Sequence, residues 1–440
     1  MAHEPDSLDV AIALCLGGLV FLLLKRAISM LAAVSRWLTY SDSLPLPQMD
    51  YGVLPMVKVH HIETDPRRRA RCLKHLLKAN HVNYSIVYNK LRLSNQTAHL
   101  LASAYTLGAG EDRLNELYGK EIRSLEPWAP SPAEIVDADW RNFVGDRSYQ
   151  RAYVDFFEDK LAMKFGYDWK LQVQQLFFNP GRGDKSLLHG LIGGLGHPLV
   201  HLGFAYEFDS KEIAMESLAL ACIQQNFLQK YASDATYTRP SEQSSSSPTI
   251  LLHRLSRDER FQRLPDSPDS GHLEAFFDQH VDLAMEYWNA WKLCDELQQF
   301  SMSQEAAVAL LLGTWDARTK SYNFFVAHLL AASHGVRVLL PNLAPQYRVA
   351  LMRDWWLLVI AVYIMIGRPQ FAPSKITESD LGGKDWAHVT RRAISISWSQ
   401  DGHFLKCIRA IREAARTWGD LDGKYLCAAV TFVDTFSGWS

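Results

Sequence analysis

The feature that most constrains the fold is the spacing of apolar residues. From about residue 50 to the C-terminus they recur every three or four positions, as in helices, and few segments alternate with period two. The chain has 440 residues, of which 48% are hydrophobic and 21% are charged, so it can bury a large core. The sequence therefore predicts an all-α fold, with a single large multi-helix domain over residues 41–440.

Individual helices are predicted where the apolar spacing persists for ten residues or more. They are Thr97–Leu107, Lys211–Lys230, His272–Trp291, Ser321–His334, Ala350–Ile366 and Trp386–Trp418. The segment Trp355–Ile366 is apolar but too short to cross a bilayer, which favours a buried helix. The serine-rich segment Thr236–Pro248 is predicted to be a flexible surface loop.

The N-terminus differs from the rest of the chain. The run Val10–Leu24 carries no charge, and apolar residues resume after Lys25 and Arg26 up to residue 34. We expect residues 1–40 to form a hydrophobic anchor helix that associates with a membrane through residues 10–34. The basic residues after the run predict a cytosolic domain on the endoplasmic reticulum. A buried N-terminal helix is the alternative, because a comfortable span needs about 20 residues.

Several classes of protein are disfavoured. A net charge of −2 gives no electrostatic footprint for nucleic acid. The six cysteines include no Cys-x-x-Cys pair, so neither a thiolate zinc site nor a disulfide framework is indicated. The glycines of Gly190–Gly196 lack the Gly-x-Gly-x-x-Gly spacing and a preceding strand, so no Rossmann-type flavin or nicotinamide site is predicted.

Histidine is the residue type that suggests a site. His197 and His201 are four residues apart and would share one face of a helix whose first turn contains Pro198. Two imidazoles at this spacing can bind one metal ion, although buried histidines more often serve packing. Because Pro198 stands where a zinc protease has its glutamate, the pair does not indicate a metalloprotease.

Further histidines lie in apolar helical segments. His328 is in an apolar helix, and His334, six residues later, points about 120° away from it. His403 lies three residues before Lys406, so the two side chains are expected to be neighbours.

A buried Lys406 needs a compensating arrangement. It could form a salt bridge, for instance to Glu207 or Glu216, it could have a lowered pKa, or carbon dioxide could convert it to a carbamate, an anionic metal ligand. The sequence leaves these three alternatives open.

With these segments assembled, the chain resembles the questin oxidase-like proteins of fungal secondary metabolism. The resemblance covers roughly residues 75–415 and includes the segments Asn80–Ala109, Leu195–Phe208, Ala214–Ala221, Ala327–Pro341 and Asp401–Ile411. Among these, HPLVHLG and DGHFLK are the specific motifs.

The resemblance implies an oxidoreductase that opens an anthraquinone-type ring of an aromatic polyketide with dioxygen, with a Baeyer–Villiger outcome and NADPH as reductant. Since dioxygen chemistry needs a flavin or a metal and no flavin fold is evident, we hypothesise a mononuclear iron. His201, His328 and His403 are the expected ligands, with His197 or His99 as a further ligand and Lys406 as a carbamate.

Catalysis is assigned to four residues of this set, His201, His328, His403 and Lys406. His81 and His334 are predicted to contact the substrate.

The chain departs from the family pattern at three positions. Ser85, Ser94 and Gln96 stand where relatives have histidine, whereas His81 and His99 remain. The departures could signal a different substrate, an impaired metal site or an anchored scaffold without activity. A monooxygenase with NADPH and a dissociable flavin is a further alternative, and hydrolytic zinc chemistry is disfavoured because no carboxylate has the expected spacing.

Overall fold

The computed structural model describes residues 54–440 except 181–184, 262–269, 295, 372, 374–380 and 421. This part of the chain contains seventeen α-helices, which confirms the all-α prediction. The predicted anchor helix over residues 1–40 lies outside the described residues. The helices are α1 Arg68–Asn83, α2 Thr97–Thr106, α3 Glu111–Glu121, α4 Gln150–Met163, α5 Trp169–Val173, α6 Gly193–Phe208, α7 Lys211–Ile223, α8 Leu228–Ser233, α9 Pro248–Arg257, α10 Ser270–Gln279, α11 Val281–Ala290, α12 Glu296–Gly313, α13 Phe324–Leu339, α14 Pro345–Met365, α15 Trp386–Ser395, α16 Gly402–Trp418 and α17 Lys424–Thr435.

The β-structure within the described residues is one short hairpin and a few isolated bridges. Strands β1 Val87–Tyr88 and β2 Leu93–Ser94 pair antiparallel, with Val87 opposite Ser94. The intervening residues 89–91 all have positive φ angles, which produces the tight reversal. The hairpin leads directly into α2.

Several predicted helices are divided in the structure. The predicted helix 211–230 is α7 and α8, 272–291 is α10 and α11, and 386–418 is α15 and α16. The last break occurs where the Asp401 carboxylate caps α16 by accepting from Phe404 N at 2.9 Å. The expectation of a flexible loop at 236–248 was also wrong in part, because Ser245 and Ser247 are buried and Ser247 caps α9.

The centre of the protein is built on α6, which packs against α7 and α13, while α13 packs against α16 and α16 against α2. Glycines allow α6 and α13 to approach closely. A Cβ at Gly203 would lie 3.0 Å from Gly335 Cα, and one at Gly335 would lie 2.8 Å from Leu199 O. These two glycines therefore serve close helix packing, since a larger residue at either position would meet backbone atoms of the partner helix.

Within the described residues, the segment Phe324–Asn342 is long and apolar enough to cross a membrane. However, 83% of its most apolar 18-residue stretch is buried inside the protein. This burial is typical of a core helix. The segment 355–366, which was predicted to be a buried helix, forms the C-terminal part of α14 and the residue that follows it. Trp355 and Trp356 are fully buried there, which confirms the prediction.

Candidate functional site

The first part of the site is set by a break at the start of α6. Gly194, Leu195 and Gly196 have left-handed backbone angles, so the regular helix begins at His197 with Pro198 in its first turn. Proline fits this position because the first-turn N–H needs no helical partner. His197 and His201 then follow on one face, as the sequence predicted.

The other imidazoles also lie near helix N-terminal ends. His99 is the third residue of α2, His403 is the second of α16, and His328 is the fifth of α13. The side chains of Asn323 and Asp401 cap α13 and α16. Because the positive end of a helix dipole disfavours a protonated imidazole, these positions suit neutral histidines.

Three imidazoles form the triad His99, His197 and His201. All three are buried, and their ligand nitrogens lie within 4.8 Å of one another. His99 Nε2 and His201 Nδ1 are 2.8 Å apart, and the ring centroids of His99 and His197 are 4.6 Å apart. Residues about 100 positions apart in sequence thus meet at one point.

A chain of carboxylates and one imidazole leads from the triad towards solvent. Glu216 Oε2 accepts from His201 Nε2 at 2.7 Å, and Glu216 Oε1 is 2.8 Å from His81 Nδ1. The second ring nitrogen of His81 is 2.8 Å from Glu158, whose side chain is 40% exposed. The Glu216 carboxylate therefore fixes the tautomer of His201 and leaves Nδ1 facing His99.

The Glu216 carboxylate and the His81 imidazole in this hydrogen-bonded series are both ionised. Although burial opposes a negative charge, hydrogen bonds from His201 and His81 lower the pKa of Glu216 to about 2. Burial likewise opposes the His81 cation, but hydrogen bonds to Glu158 and Glu216 raise its pKa to about 10. His81 is therefore an imidazolium between two carboxylates at neutral pH.

Lys406 and Gln96 join the triad to a second pair of histidines. Lys406 Nζ lies 3.5 Å from His99 Nδ1 and donates to Gln96 Oε1 at 2.8 Å. Gln96 Nε2 is 3.0 Å from His403 Nε2, and the His403 ring centroid is 4.6 Å from that of His328. The site is thus a connected cluster in which Gln96, one of the departures from the family pattern, is central.

The structure contradicts the salt-bridge alternative for Lys406. Among the described residues no carboxylate lies within 4.0 Å of its Nζ, because Glu216 is bound by His201 and His81 and Glu207 is paired with Arg409 and His334. Burial instead lowers the pKa of Lys406 to about 8. The lowered-pKa alternative fits this structure, and the carbamate stays a prediction.

Four of the imidazoles are held neutral. Burial, and after it neighbouring charges that include Lys406, lower the pKa values of His99, His197, His328 and His403 well below the usual value. Two buried nitrogens, His197 Nε2 and His328 Nε2, have no hydrogen-bond partner among the described residues. Neutral imidazoles with unpaired nitrogens are suited to metal binding.

The triad fits a metal ion better than the second pair does. Two nitrogen ligands that each lie about 2.1 Å from one metal ion, with an angle of about 90° at the ion, are about 3 Å apart. The distance between His99 Nε2 and His201 Nδ1 is 2.8 Å, which is close to this value. His197 Nε2 supplies an unpaired third nitrogen. The contact from His201 to Glu216 is the usual carboxylate support of a metal-bound histidine.

The six predicted metal ligands are therefore divided between two neighbouring groups. His99, His197 and His201 converge, whereas His328 and His403 form the second pair, and Lys406 lies between the groups. The substrate-contact roles of His81 and His334 stay predictions, although both His81 nitrogens already have carboxylate partners.

Elsewhere, His334 Nε2 is 3.1 Å from Glu207, and Arg409 pairs with the other Glu207 oxygen. The third histidine of the glycine-rich segment, His189, is paired with Asp354 at 2.9 Å and lies outside the cluster.

Sequence reasoning missed the roles of Glu158, Gln96 and Arg409, and it considered Glu216 only as a partner of Lys406. A signal for Glu216 was present, since it is the one carboxylate in the buried, otherwise largely apolar part of α7 that follows Glu212. A buried carboxylate requires partners, and histidines are abundant in this chain.

Comparison with known proteins agrees with the resemblance read from the sequence. The family model described as questin oxidase-like matches residues 93–411. A questin oxidase from Aspergillus terreus is 22% identical over 360 residues, which cover 77% of this chain and 79% of that protein. A Baeyer-Villiger oxidase from Pestalotiopsis microspora is 22% identical over 370 residues, covering 79% and 81% of the two chains.

A questin oxidase from Aspergillus fumigatus is 24% identical over 371 residues, covering 80% of this chain and 82% of that protein. The match extends across the helices that carry the triad, Lys406 and the second histidine pair. The chain is therefore an oxidoreductase that belongs to the questin oxidase-like family.

Proposed function

We propose that this protein is an oxygen-dependent oxidase of an aromatic, anthraquinone-type polyketide, with a Baeyer–Villiger-like ring cleavage. We further propose that His99, His197 and His201 hold an iron ion. The observation that carries the metal site is the convergence of three buried imidazole nitrogens within 4.8 Å. When bound there, iron would supply the activation of dioxygen that imidazole and carboxylate groups cannot supply.

An apolar cleft of about 470 Å³ is suited to a planar substrate. Phe227, Phe276, Phe277 and Phe325 contribute aromatic walls, and the backbone around Leu195 forms part of the lining. Aromatic side chains bind flat rings by stacking and edge contacts. The proposal assigns the polyketide to this cleft.

The cleft borders the histidine cluster. Phe325 follows Phe324, whose ring centroid is 4.9 Å from that of His328 and 4.5 Å from that of His403. On the other wall, Leu195 is two residues before His197 in the left-handed segment. Leu195 and Phe325, which line the cleft, therefore lie two and three positions in sequence from His197 and His328.

Lys406 is proposed to stabilise negative charge that develops beside the histidine cluster during the reaction. Its Nζ is buried, has no carboxylate partner among the described residues, and lies beside the N-terminal ends of α2 and α16. A cation and positive helix ends in a dry site both favour an anionic oxygen, such as a phenolate.

The three positions that depart from the family pattern, Ser85, Ser94 and Gln96, favour a change of substrate over loss of the proposed metal site. Ser94 Oγ accepts from Gln224 Nε2 at 2.6 Å, and Gln224 packs on Gly194 at the cleft. Gln96 contacts Lys406 and His403. None of the three triad histidines is replaced, so the proposed metal site remains complete.

Two further parts of the proposal rest on the sequence and the family resemblance. NADPH is proposed as the reductant. Membrane association through residues 10–34, with residues 41–440 on the cytosolic face of the endoplasmic reticulum, is proposed from the apolar N-terminal run and the basic residues that follow it.

The test combines metal analysis with oxygen uptake. The full chain would be purified, reconstituted with Fe(II), analysed by elemental mass spectrometry and assayed with anthraquinone-type polyketides under oxygen in the presence of NADPH. The variants are His201→Ala and, as a matched control, His189→Gln, which changes a histidine outside the cluster. We expect near-stoichiometric iron in the wild type and in His189→Gln, and loss of both iron and oxygen uptake in His201→Ala.

Active wild-type protein without iron or another transition metal would overturn the metal site, and a bound yellow chromophore would then favour the flavin alternative. Protein that binds iron but takes up no oxygen with any quinone substrate would overturn the oxidase proposal and favour a scaffold.

A further inference from the structure

Two cavities open side by side on the surface formed by α1, α2, α15 and α16, and we call them together the basic groove. One, of about 200 Å³, is lined by the cationic side chains Lys58, Arg67, Arg69, Arg412 and Arg416. The other, of about 350 Å³, shares Arg412 and Arg416 and adds Trp386. The groove therefore combines a cationic end with an aromatic end.

The acidic residues of the cationic end are already neutralised. Glu207 is paired with Arg409 and His334, and Glu413 is paired with Arg416 at 2.8 Å. Arg67 is paired with Asp65, so these pairs leave three cations of that end without a carboxylate partner among the described residues.

Three cations have no carboxylate within 4.0 Å among the described residues. Lys58 is exposed, while Arg69 and Arg412 donate to backbone carbonyls, Arg69 to Ala109 O at 2.7 Å and Arg412 to Thr106 O at 3.1 Å. Backbone contacts orient the guanidinium groups without cancelling their charge. Oriented guanidinium groups without a carboxylate partner are suited to bind an anion.

The titration of His60, which also lines the cationic end, agrees with a positive potential there. Its pKa is lowered to about 4 by burial and then by the charges of Lys58 and Arg409. Burial, and after it Arg416, also lowers the pKa of Arg412.

We propose that the basic groove binds a phosphorylated nucleotide, with its phosphates on Lys58, Arg69 and Arg412 and its base against Trp386. Guanidinium groups bind phosphate oxygens in pairs, and indole rings stack on bases of any sequence. The inference deepens the proposed function, on which it rests for NADPH as the reductant, by locating a nucleotide site, and it does not depend on the metal site.

The groove is close to the histidine cluster. Glu207 lines the cationic end and pairs with Arg409, whose guanidinium carbon lies 4.4 Å from the centroid of Phe204. Phe204 in turn stacks on His99 with centroids 5.0 Å apart. A ligand in the groove could therefore influence the triad through adjacent side chains.

The test is calorimetric titration of the full chain with NADPH, ADP and inorganic pyrophosphate at low and high salt. We expect saturable binding of the two nucleotides, weaker binding of pyrophosphate because it has no base, and a loss of affinity with salt. Lys58→Glu should weaken nucleotide binding at least about tenfold, since each tenfold step is only about 1.4 kcal/mol. Trp386→Ala should weaken the nucleotides but not pyrophosphate.

The matched control is Arg71→Glu, which reverses an exposed charge on α1 outside both cavities. It should bind as the wild type does, and thermal unfolding would verify that both charge-reversal variants are folded. The proposal is overturned if neither nucleotide binds, if pyrophosphate binds as tightly as the nucleotides, or if Lys58→Glu and Arg71→Glu behave alike. Metal-free His201→Ala protein should still bind, which separates this outcome from failure of the iron site.

Discussion

His99 Nε2 and His201 Nδ1 lie 2.8 Å apart in the centre of the protein, although the residues are 102 positions apart in sequence. The other nitrogen of His201 is committed to Glu216 and that of His99 faces Lys406. The nitrogens His99 Nε2 and His201 Nδ1, together with His197, therefore define a small polar centre. Its chemistry depends on Glu216 and Lys406, which contact the opposite ring nitrogens.

The carboxylate of Glu216 should control metal affinity without touching the ion. In Glu216→Gln the His201 tautomer is no longer fixed by a charge, and we expect affinity for Fe(II) to fall by about 10–100-fold, measured by competition with a chelator. Glu207→Gln is the matched control, because Glu207 is equally buried but binds His334 and Arg409. Equal losses in both variants would contradict a specific role for Glu216.

His81 should stabilise the fold in a pH-dependent manner. Its pKa rises from 6.5 to about 10 on folding, so its contribution is complete below pH 6.5 and declines as the pH rises through 10. His81→Gln breaks a buried pair and should cost roughly 3–5 kcal/mol at pH 6, with a smaller difference near pH 10. Urea unfolding of both proteins at the two pH values measures this. If the difference in unfolding free energy between the two proteins were the same or larger near pH 10 than at pH 6, His81 would not be an imidazolium in the folded protein.

The close approach of α6 and α13 should make Gly203 sensitive to a single methyl group. A Cβ there would lie 3.0 Å from Gly335 Cα, so Gly203→Ala should lower the free energy of unfolding by about 1–3 kcal/mol. Gly119 in α3 has no neighbouring atom within 4 Å of such a Cβ, and Gly119→Ala should stabilise the protein by about 0.5–1 kcal/mol. Denaturant unfolding compares the two, and similar effects would refute the packing argument.

Gln96 should matter for turnover rather than for metal content. Gln96→Ala removes the acceptor of Lys406 and the donor to His403, which should cost about 1–3 kcal/mol of stability and lower kcat. Iron content should not change, because Gln96 is not in the triad. The control is Ser85→Ala, at another position that departs from the family, where the hydroxyl only donates to Pro127 O. If Gln96→Ala lost the metal, Gln96 would have to be counted with the ligands.

The sequence by itself determined the helical class and the family of this protein. Apolar spacing is a local property, so it predicted α2, α13 and α14 well, and the spacing of His197 and His201 predicted that they share a helix face. It could not divide the long periodic segments correctly, because α15 ends at Ser395 and Asp401 caps the start of α16 without a long interruption of the apolar pattern.

Only the tertiary structure decided which histidines meet. His99 reaches His201 because α2 and α6 pack together, and the second pair forms because α13 and α16 do, contacts that no local pattern encodes. The same packing buries Lys406 with no carboxylate partner in the part of the chain that the structure describes, and it directs Glu216 to His201 and His81. The physical reason is that the charge and pKa of a buried group are set by neighbours from distant parts of the chain, whereas periodicity reports only on residues a few positions away.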